Sequence, residues 1–316
     1  MGGDSSPLVS IVVVTYNSAK YVLETLESVR AQAYQNLELL ISDDCSSDDT
    51  VVICQNWLKM NSNIFVNSQL ITSARNTGIP SNCNRGVNAS RGIWIKLIAG
   101  DDVLEKGCIS KYMDFVMSDY RYQIVLSKMR SYYFSFLDTN LASVHPNDLE
   151  VQRFFSSSAS DQYITLLAGD VIANTATVFF RKSCWLILNC FDEDLSVEDY
   201  PFWLKATKAN VKIDFFSDFT VKHRRHFSNS HFRANETLFH TAFMIQEDIR
   251  IKYVYPNISA IWRLHYKYQL YTSKFLISIT NNKKTVLTIF LKKFIFSFLN
   301  IFRLYIHIFR LPPSKN

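Results

Sequence analysis

Polar and acidic side chains gather where apolar runs end in the first part of the chain. The three clusters are Thr15-Tyr16-Asn17, Asp43-Asp44 and Asp101-Asp102. Paired carboxylates suit Mg²⁺ or Mn²⁺, hard cations that take oxygen ligands and bridge to phosphates. A single carboxylate such as Asp43 can instead accept a hydrogen bond from a base N–H or a ribose hydroxyl. Taken alone, each cluster is more often a solvated turn or a helix cap, so their chemistry depends on whether they meet in space.

Two later clusters could also carry chemistry. Glu198 and Asp199 stand just before an aromatic, helix-like run, where an ionised Asp at a pocket edge could act as a general base. Helix capping is the alternative reading. The basic run from His223 to His226 could meet a diphosphate, and a histidine there could complete a metal shell. A basic surface loop explains that run equally well.

The elements that would position these side chains alternate between strand and helix. Buried strands are predicted at Val9–Val14, Leu37–Ile41, Ile64–Val66 and Ile93–Ile98. Helices are predicted between them, the first capped by Asn17 or Ser18 and the second by Ser46 or Ser47. This order indicates a parallel sheet with right-handed crossovers and helices on both faces. Ligands of such sheets bind beyond the carboxyl ends of the strands, where the three clusters lie.

The remainder of the chain divides into an irregular middle and a helical tail. Strands are predicted near Ile124–Lys128, Thr177–Phe180 and Val211–Phe215. We predict a catalytic domain at 1–240, made of halves 1–120 and 121–240, followed by a basic helical extension at 241–316. The six cysteines show no C-x-x-C pair, and the polar start lacks the pattern of a signal peptide.

Charge is distributed unevenly along the chain. The net charge is +6, yet the first 248 residues carry 22 basic and 28 acidic side chains, and the residues after them carry twelve basic and no acidic ones. The segment Thr285–Leu311 is too often interrupted by charges to give the ~20 apolar residues of a membrane span. As one helix, it would place its polar residues within an arc of about 140°. Such a helix lies in an anionic membrane interface; packing on the catalytic domain is the alternative.

These motifs, in this order, resemble glycosyltransferase family 2, the inverting family with the GT-A fold. The stretches that carry the resemblance are VSIVVVTYNSAKYVLETLESVRAQAYQNLELLISDDCSSDDT, NTGIPSNCNRGVNASRGIWIKLIAGDD and FDEDLSVEDYPFWLKATKANVKI. Together they cover roughly Leu8 to Ser230. The resemblance implies a Rossmann-like, mostly parallel central sheet with helices on both faces, to which the sequence adds the amphipathic C-terminal extension.

The resemblance also implies roles for individual residues. On the donor side, the nucleotide would be bound by Thr15, Tyr16, Asn17, Asp43 and Asp44, with Asp43 on the uracil ring. The divalent cation, Mn²⁺ or Mg²⁺, would be held by Asp101, Asp102 and His226. Asp199 would be the general base, with Glu198 beside it. The diphosphate or acceptor side would involve Arg224, Arg225 and Asn174.

Two positions depart from the family pattern. Ala99 stands where the metal motif often begins with an Asp that faces the ribose, so the ribose contact is in question. Cys45 replaces the usual Gly after the paired acids. Because positive φ favours glycine, we expect the turn to avoid a strongly positive φ at Cys45.

The family and the tail together imply transfer of one sugar onto a lipid-linked acceptor. The expected donor is a UDP-hexose, with glucose or galactose favoured over an N-acetyl sugar. The expected setting is O-antigen or capsule assembly by a peripheral protein at the cytoplasmic face of the inner membrane. A processive synthase is disfavoured because spanning helices and a Gln-x-x-Arg-Trp motif are missing. An inactive nucleotide-sugar-binding protein remains the alternative, and nucleic acid is not an expected partner.

Overall fold

The computed structural model describes residues 6–147, 149, 151–172, 175–226, 237–239, 246–297, 300–308 and 312–313. The elements are β1 (Val9–Thr15), α1 (Val22–Arg30), β2 (Leu37–Asp43), α2 (Thr50–Asn61), β3 (Asn67–Thr72), α3 (Ile79–Ala89), β4 (Trp94–Ala99), β5 (Val103–Leu104), α4 (Cys108–Met117), β6 (Ile124–Tyr133), β7 (Leu141–His145), α5 (Ala159–Ala168), β8 (Phe179–Arg181), α6 (Lys182–Ile187), α7 (Asp199–Lys208), β9 (Ile213–Arg225), α8 (Ala260–Thr280), α9 (Val286–Ser297) and α10 (Ile301–Ile308). The chain folds into two compact units, residues 1–162 with 171–224 and residues 163–170 with 225–316. The division falls between residues 224 and 225, sixteen residues before the expected domain boundary.

The described strands form one sheet in the order β3-β2-β1-β4-β8-β6-β9-β5, with β7 beside β6. The first four strands of this order are parallel, as the alternation of strands and helices predicts. In their register Thr15 pairs with Asp43, and Val14 pairs with Ala99. The carboxyl ends of β1, β2 and β4 therefore lie side by side at one edge.

Helices cover both faces of the parallel strands. Ile11 of β1 packs in one core cluster with Leu26 of α1 and Trp57 of α2. The next residue, Val12, points to the opposite face because side chains alternate along a strand. On that face α3 lies so close that a Cβ added to Gly86 would stand 2.4 Å from Val12 Cγ1. The expected mixed α/β architecture is confirmed.

The second half of the sheet contains antiparallel pairs. β8 runs antiparallel to both β4 and β6, with Phe179 paired to Lys96 on one side and to Val125 on the other. β6 therefore points in the same direction as β4. β5 pairs antiparallel with β9, where Val103 is opposite Lys222. This last pairing brings the end of β9 back to the loop that follows β4.

Three predicted element boundaries were wrong. The first helix begins at Val22 with Tyr21 as its N-cap, because the residues before it bond to the loop after β2. The second helix begins at Thr50, and its first amide donates to the Asp48 carboxylate at 3.0 Å. The predicted strand at Ile64–Val66 is instead the end of a 3₁₀ turn and a linker before β3. β3 lies at the sheet edge and is partly exposed, so it lacks the apolar run that marks a central strand.

The described part of the second unit is built mainly from α8, α9 and α10. The tail is not one continuous helix, because α9 ends at Ser297 and α10 begins at Ile301. Asn300 causes the new start: it is buried, and its side-chain oxygen accepts a hydrogen bond of 2.9 Å from the amide of Arg303. Among the described helices, none combines the length and the apolar character needed to span a membrane.

Candidate active site

Asp43 ends β2 with its carboxylate fully buried. The Thr15 hydroxyl donates to Asp43 Oδ2 at 2.7 Å, and the Ser46 amide donates to Oδ1 at 2.8 Å. The Ser46 hydroxyl donates to Oδ2 at 2.5 Å. Two carboxylate oxygens offer about four lone pairs, and three donors from the protein already bond to them. Asp43 is thereby held in one orientation at the strand end.

The loops after β1 and β2 bond to each other across the same edge. The Asn17 amide donates to Ser46 Oγ at 2.8 Å, and Asn17 Oδ1 accepts from the Ser47 amide at 2.9 Å. Asn17 adopts a φ of +49°, which asparagine tolerates better than most residues. These bonds leave the neighbouring Tyr16 half-exposed, with a relative accessibility of 50%.

Cys45 lies in the same loop and corrects one expectation from the sequence. Its φ is +66°, in the left-handed region that favours glycine. The backbone keeps the conformation that a glycine would adopt there because the carboxylates of Asp43 and Asp44, just before it, are held by hydrogen bonds from Ser46 and Thr77. The Cys45 side chain is exposed, so this backbone conformation does not force it into the protein core.

Asp44 anchors the loop between β3 and α3. Its oxygens accept from the Thr77 hydroxyl at 2.6 Å, from the Thr77 and Gly78 amides at 2.9 and 2.8 Å, and from Arg85 Nη2 at 3.1 Å. Burial alone would raise the pKa of Asp44, but these hydrogen bonds outweigh it and lower the pKa below its ordinary value. Asp44 therefore fixes the loop beside the carboxyl ends of β1 and β2.

Asp101 and Asp102 form the turn after β4. Asp101 is half-buried, whereas Asp102 is 2% exposed. Burial raises the pKa of Asp102 well above its usual range, and the neighbouring charge of Asp101 raises it further. The Asp102 carbonyl accepts from the Thr25 hydroxyl at 2.7 Å, which ties the turn to α1.

Arg224 holds this turn from the end of β9. Its Nε donates to the Asp101 carbonyl at 2.9 Å, and Nη1 donates to the Phe134 carbonyl at 2.6 Å. Nη2 forms an ion pair with Glu24 of α1. The guanidinium is almost fully buried and stacks over the ring of Phe136, 4.1 Å from its centroid. These contacts assign Arg224 to the Asp101–Asp102 turn and leave little of it to reach a diphosphate.

Asp199 begins α7 and is held by a 3₁₀ turn, Thr175–Thr177. The Thr175 hydroxyl donates to Asp199 Oδ2 at 3.0 Å. That turn precedes β8, which is antiparallel to β4, so it lies toward the carboxyl end of β4 where Asp101 also lies. Burial raises the pKa of Glu198 to about 8, and the adjacent charge of Asp199 adds to the effect.

Helix α3 connects the two carboxylate-bearing regions. Asn82 Nδ2 donates to the Thr15 carbonyl at 3.1 Å, and Asn84 Nδ2 donates to the Phe191 carbonyl at 2.9 Å. Burial raises the pKa of the Cys83 thiol between them, and the charges of Glu198, Asp199 and Asp44 raise it further. Carboxylates from β2 and from α7 thus act on one buried thiol. Helix α3 therefore bonds both to the end of β1 and to the segment that leads to α7.

An open polar cleft of about 690 Å³ runs along the outer side of α3. It is lined by Arg75, Asn76, Thr77, Ser81, Asn84, Arg85, Asn88, Glu193 and Asp194. Glu193 is bonded to Ser81 at 3.0 Å and to Asn84 at 2.7 Å, so the two walls of the cleft are connected. One end is formed by the loop that Asp44 anchors.

The donor set for a divalent cation is the Asp101–Asp102 pair. Mg²⁺ usually takes one or two protein carboxylates together with substrate phosphates. Asp102 is 2% exposed and its Oδ1 accepts from the Arg224 amide, whereas Asp101 is half-buried, so Asp101 is the carboxylate that an ion could reach. The residues present therefore fit such an ion. Within the described ranges, no group of three or more His, Cys, Asp or Glu side chains is placed to hold a metal.

Three residues singled out in the sequence cannot be placed at this site. Asn174 lies outside the described residues. Arg225 and His226 belong to the second unit, at the end of β9, where both are half-buried. Conversely, the sequence did not single out Lys96, Thr175 or Glu24. Of these, only Lys96 carried a signal, as a charge inside the apolar run of β4.

The sequence matches the profile of Glycosyl transferase family 2 over residues 10–185, which is more than half of the chain. The chain belongs to this family. The glycosyltransferase is 28% identical over 176 residues to the putative teichuronic acid biosynthesis glycosyltransferase TuaG of Bacillus subtilis, covering 56% of this chain and 63% of that protein. It is 25% identical over 202 residues to an uncharacterized glycosyltransferase of Haemophilus influenzae, covering 64% and 72% respectively. With the chondroitin synthase of Escherichia coli it shares 24% identity over 84% of this chain, but only 35% of that longer protein.

Solved structures support the fold of the glycosyltransferase. S. aureus TarS in complex with UDP-GlcNAc superposes with a TM-score of 0.57 at 21% identity, covering 77% of this chain and 66% of TarS. The mannosyltransferase PcManGT of Pyrobaculum calidifontis, in complex with GDP-Man and Mn²⁺, gives a TM-score of 0.55 at 17% identity, covering 73% and 61%. At these identities the likeness concerns the fold, and the expected GT-A-like architecture is confirmed.

Proposed function

We propose that the protein is an inverting glycosyltransferase that moves one hexose from a UDP donor to an acceptor hydroxyl, with Asp199 as the general base. One observation carries the proposal: Asp199 is held by Thr175 at the carboxyl end of β4, near the turn that bears Asp101. Asp43 stands at the end of β2, and the register places that end beside the end of β1, which neighbours β4. In this proposal, the donor nucleotide and the residue that deprotonates the acceptor would lie at the same carboxyl edge of the sheet.

In this mechanism Asp199 removes the proton of the acceptor hydroxyl as its oxygen attacks the anomeric carbon. Attack comes from the face opposite the leaving diphosphate, so an α-linked donor gives a β-linked product. Thr175 directs the Asp199 carboxylate by occupying Oδ2, which leaves Oδ1 for the acceptor and for the Tyr200 amide at 2.7 Å. Glu198, whose raised pKa favours its neutral form at neutral pH, adds no second negative charge beside the base.

Asp101, with Asp102 beside it, would hold a Mn²⁺ or Mg²⁺ ion that offsets the charge of the leaving diphosphate when bound. The contribution of His226 to metal binding stays a prediction. The Arg224 amide donates to the Asp102 carboxylate, and the Arg224 side chain donates to the Asp101 carbonyl, so both acids are held by this one residue. The protein thus holds in one position the turn that would bind this ion, and charge stabilisation of a leaving group is the kind of contribution that is usually largest in such reactions.

We propose UDP as the carrier, with its uracil ring at the strand end that bears Asp43, as the family resemblance implies. TarS, a neighbour in fold, binds UDP and UDP-GlcNAc, whereas PcManGT binds GDP-Man, so the fold accommodates both kinds of base. Tyr16 is half-exposed at the same edge and offers a ring face for stacking. Glucose or galactose is the proposed sugar, since the motif shows no feature dedicated to an N-acetyl group.

The second unit offers a surface suited to anionic lipid. Large apolar side chains on α9 and α10 are exposed, namely Val286, Leu287, Phe290, Phe294, Ile301, Leu304 and Tyr305. The exposed lysines and arginine near them are Lys283, Lys284, Lys293 and Arg303. By contrast Lys292, which a single long helix would have placed on the polar face, donates inward to the Leu238 carbonyl at 2.8 Å. Apolar and basic groups facing outward together suit a membrane interface.

A lipid-linked saccharide is therefore the proposed acceptor, and assembly of a bacterial surface polysaccharide such as O-antigen or capsule is the proposed context. The names of the relatives support this context, because TuaG is named for teichuronic acid biosynthesis and another relative is a chondroitin synthase. We propose a peripheral location at the cytoplasmic face of the inner membrane, where nucleotide sugars and lipid carriers meet.

Incubation with a panel of nucleotide sugars tests the proposal. Purified protein is supplied with UDP-, GDP- and dTDP-linked hexoses, anionic vesicles carrying a lipid-linked saccharide, and either Mn²⁺ or EDTA. We expect transfer from a UDP-hexose with Mn²⁺, one sugar per acceptor, and little transfer with EDTA. Products with many added sugars would favour a processive synthase. Neither transfer nor donor hydrolysis with any nucleotide sugar would favour an inactive binding protein.

A further inference from the structure

Lys96 lies in the middle of β4 with no exposed surface. Its ammonium donates to three backbone carbonyls, those of Leu97 at 2.8 Å, Ala176 at 2.7 Å and Val178 at 3.4 Å. Burial lowers the pKa of this amine to about 8. A buried ammonium is costly, and carbonyl oxygens offset that cost only when the geometry is good. A methionine or leucine would fill the same place in a strand core, so the charge calls for a specific role.

Two of the three carbonyls belong to the segment that carries the Asp199 contact. Ala176 is the central residue of the 3₁₀ turn Thr175–Thr177, and Val178 follows it directly. The Thr175 hydroxyl at the start of this turn is the donor to Asp199 Oδ2. Lys96 thus binds the turn one residue away from the hydroxyl that orients the proposed base.

The rest of the turn is fixed from the opposite side. The Tyr112 hydroxyl donates to the Thr177 carbonyl, and the Ser127 amide donates to Thr177 Oγ1 at 3.1 Å. Tyr112 and Ser127 lie on α4 and β6, and both are buried. With these bonds the turn is clamped between β4 on one side and α4 with β6 on the other. Lys96 supplies the β4 side of this clamp.

We propose that Lys96 is a positioning residue for sugar transfer, whose ammonium fixes the turn Thr175–Thr177 so that Thr175 holds Asp199 toward the acceptor. The inference rests on the proposed role of Asp199 as base. Lys96 touches neither substrate nor base, and it acts through the backbone of the turn. Displacement of a reacting group by about 1 Å can lower turnover by ~10²-fold, so a loosened turn affects the rate of transfer before it affects donor binding.

The chain contains a matched lysine for comparison. Lys182 also donates to two backbone carbonyls, those of Asn88 and Ser90, and is partly buried. Its own amide bonds to Ile93 ahead of β4, at the amino end of the strand and away from the site. Lys182→Met therefore removes the same kind of contact without touching the turn. A general loss of stability would appear in both variants, whereas mispositioning of Asp199 would appear only in Lys96→Met.

The test compares the steady-state kinetics and UDP affinity of four variants, Lys96→Met, Lys182→Met, Thr175→Val and the double variant Lys96→Met/Thr175→Val. We expect Lys96→Met to lower kcat by about 10-fold or more, with the UDP Kd within roughly threefold of wild type. Thr175→Val should lower kcat similarly, and the double variant should lose little more, because both changes release the same carboxylate. Lys182→Met should keep kcat within about twofold.

Two results would overturn the inference. One is a kcat for Lys96→Met no lower than that of Lys182→Met; the other is multiplication of the two single losses in the double variant. If Lys96→Met does not fold, Thr175→Val decides instead, since it keeps side-chain shape; wild-type turnover in Thr175→Val would end the proposal. Failure of the proposed function is distinguishable, because then Asp199→Asn would itself retain turnover.

Discussion

The backbone amide of Arg224 donates a hydrogen bond of 2.8 Å to Asp102 Oδ1, although 122 residues separate the two in the chain. The pairing of β5 with β9 creates this contact, because it brings the end of β9 beside the turn after β4. The same arginine reaches α1 through Glu24 and the end of β6 through Phe134. One side chain therefore joins three elements behind the proposed metal-binding turn.

Arg224→Lys should weaken this junction, because a lysine cannot make the three divergent contacts of the guanidinium. We expect a loss of about 1.5–3 kcal/mol in the free energy of unfolding, the range for hydrogen bonds to charged groups. Mn²⁺-dependent affinity for UDP should fall as well. Chemical denaturation and calorimetric titration measure the two effects. Arg121→Lys, in an exposed pair with Asp119, is the control and should change neither; equal behaviour of the two variants would contradict the assignment.

Glu198→Gln should change how stability depends on pH. Burial and the Asp199 charge raise the pKa of Glu198 to about 8, so the folded protein keeps a proton that the unfolded chain releases near pH 4.5. The stability supplied by this group is complete below that lower value and is lost as pH rises toward 8. Glutamine does not titrate, so its free energy of unfolding does not fall in this way. Between pH 5 and 8.5 the free energy of unfolding of the variant should therefore rise relative to that of wild type, by at least ~1 kcal/mol.

Denaturant melts of Glu198→Gln at several pH values provide the measurement. The exposed Asp49 offers a matched control in the same unit, and Asp49→Asn gives the background difference between a carboxyl and its amide. A stability difference for Glu198→Gln that does not vary with pH would show that the carboxyl is not held in its protonated form.

Asp44→Asn should loosen the loop at Thr77 and Gly78. The amide removes the ion pair with Arg85 at 3.1 Å and replaces an acceptor by a donor that faces other donors. Because the pKa of Asp44 is lowered, its contribution is present above pH 3.8 and is lost as pH falls further. We expect a destabilisation of about 1–3 kcal/mol at pH 7 that shrinks in acid. An unchanged melting temperature at pH 7 would remove Asp44 from this anchoring role.

The double substitution Leu287→Ser/Phe290→Ser should reduce binding to anionic vesicles. Both side chains are exposed, at 66% and 64%, and burial of such groups in an interface contributes about 1.5–3 kcal/mol each when complete. We expect at least ~10-fold weaker co-sedimentation at low salt. Ile187→Ser, at an equally apolar position of the first unit that is 83% exposed, serves as the control and should bind as wild type does. Equal binding by all three proteins would show that α9 does not contact lipid.

The parallel half of the fold, and the edge of the sheet at which the acids of β2 and β4 lie, could be predicted from sequence. The β-branched run of β1 is buried on both faces, which leaves a clear local pattern in the sequence. The parallel pairing of β1 with β2 and β4 then places the acids that follow those strands at the same edge of the sheet. The role of Arg224 could not be predicted this way. Its basic neighbours indicate a surface loop, whereas the long-range pairing of β5 with β9 buries it.

The tail shows why local pattern was insufficient elsewhere. A helical wheel drawn over Thr285–Leu311 assumes one unbroken helix, but buried Asn300 starts a new one and bonds to His265 of α8 at 3.1 Å. The polar positions Lys292 and Asn300 therefore pack inward, against the rule that polar faces meet water. Tertiary contacts decide this orientation, and no single helix encodes them.

Turnover of Asp199→Asn with the UDP-hexose that the wild-type protein uses decides whether Asp199 is the general base. We predict that kcat falls by at least the ~10²-fold typical of a lost general base, while UDP affinity stays close to wild type. The amide keeps an oxygen for the Thr175 hydroxyl, so folding is preserved. Turnover at the wild-type rate would contradict the account.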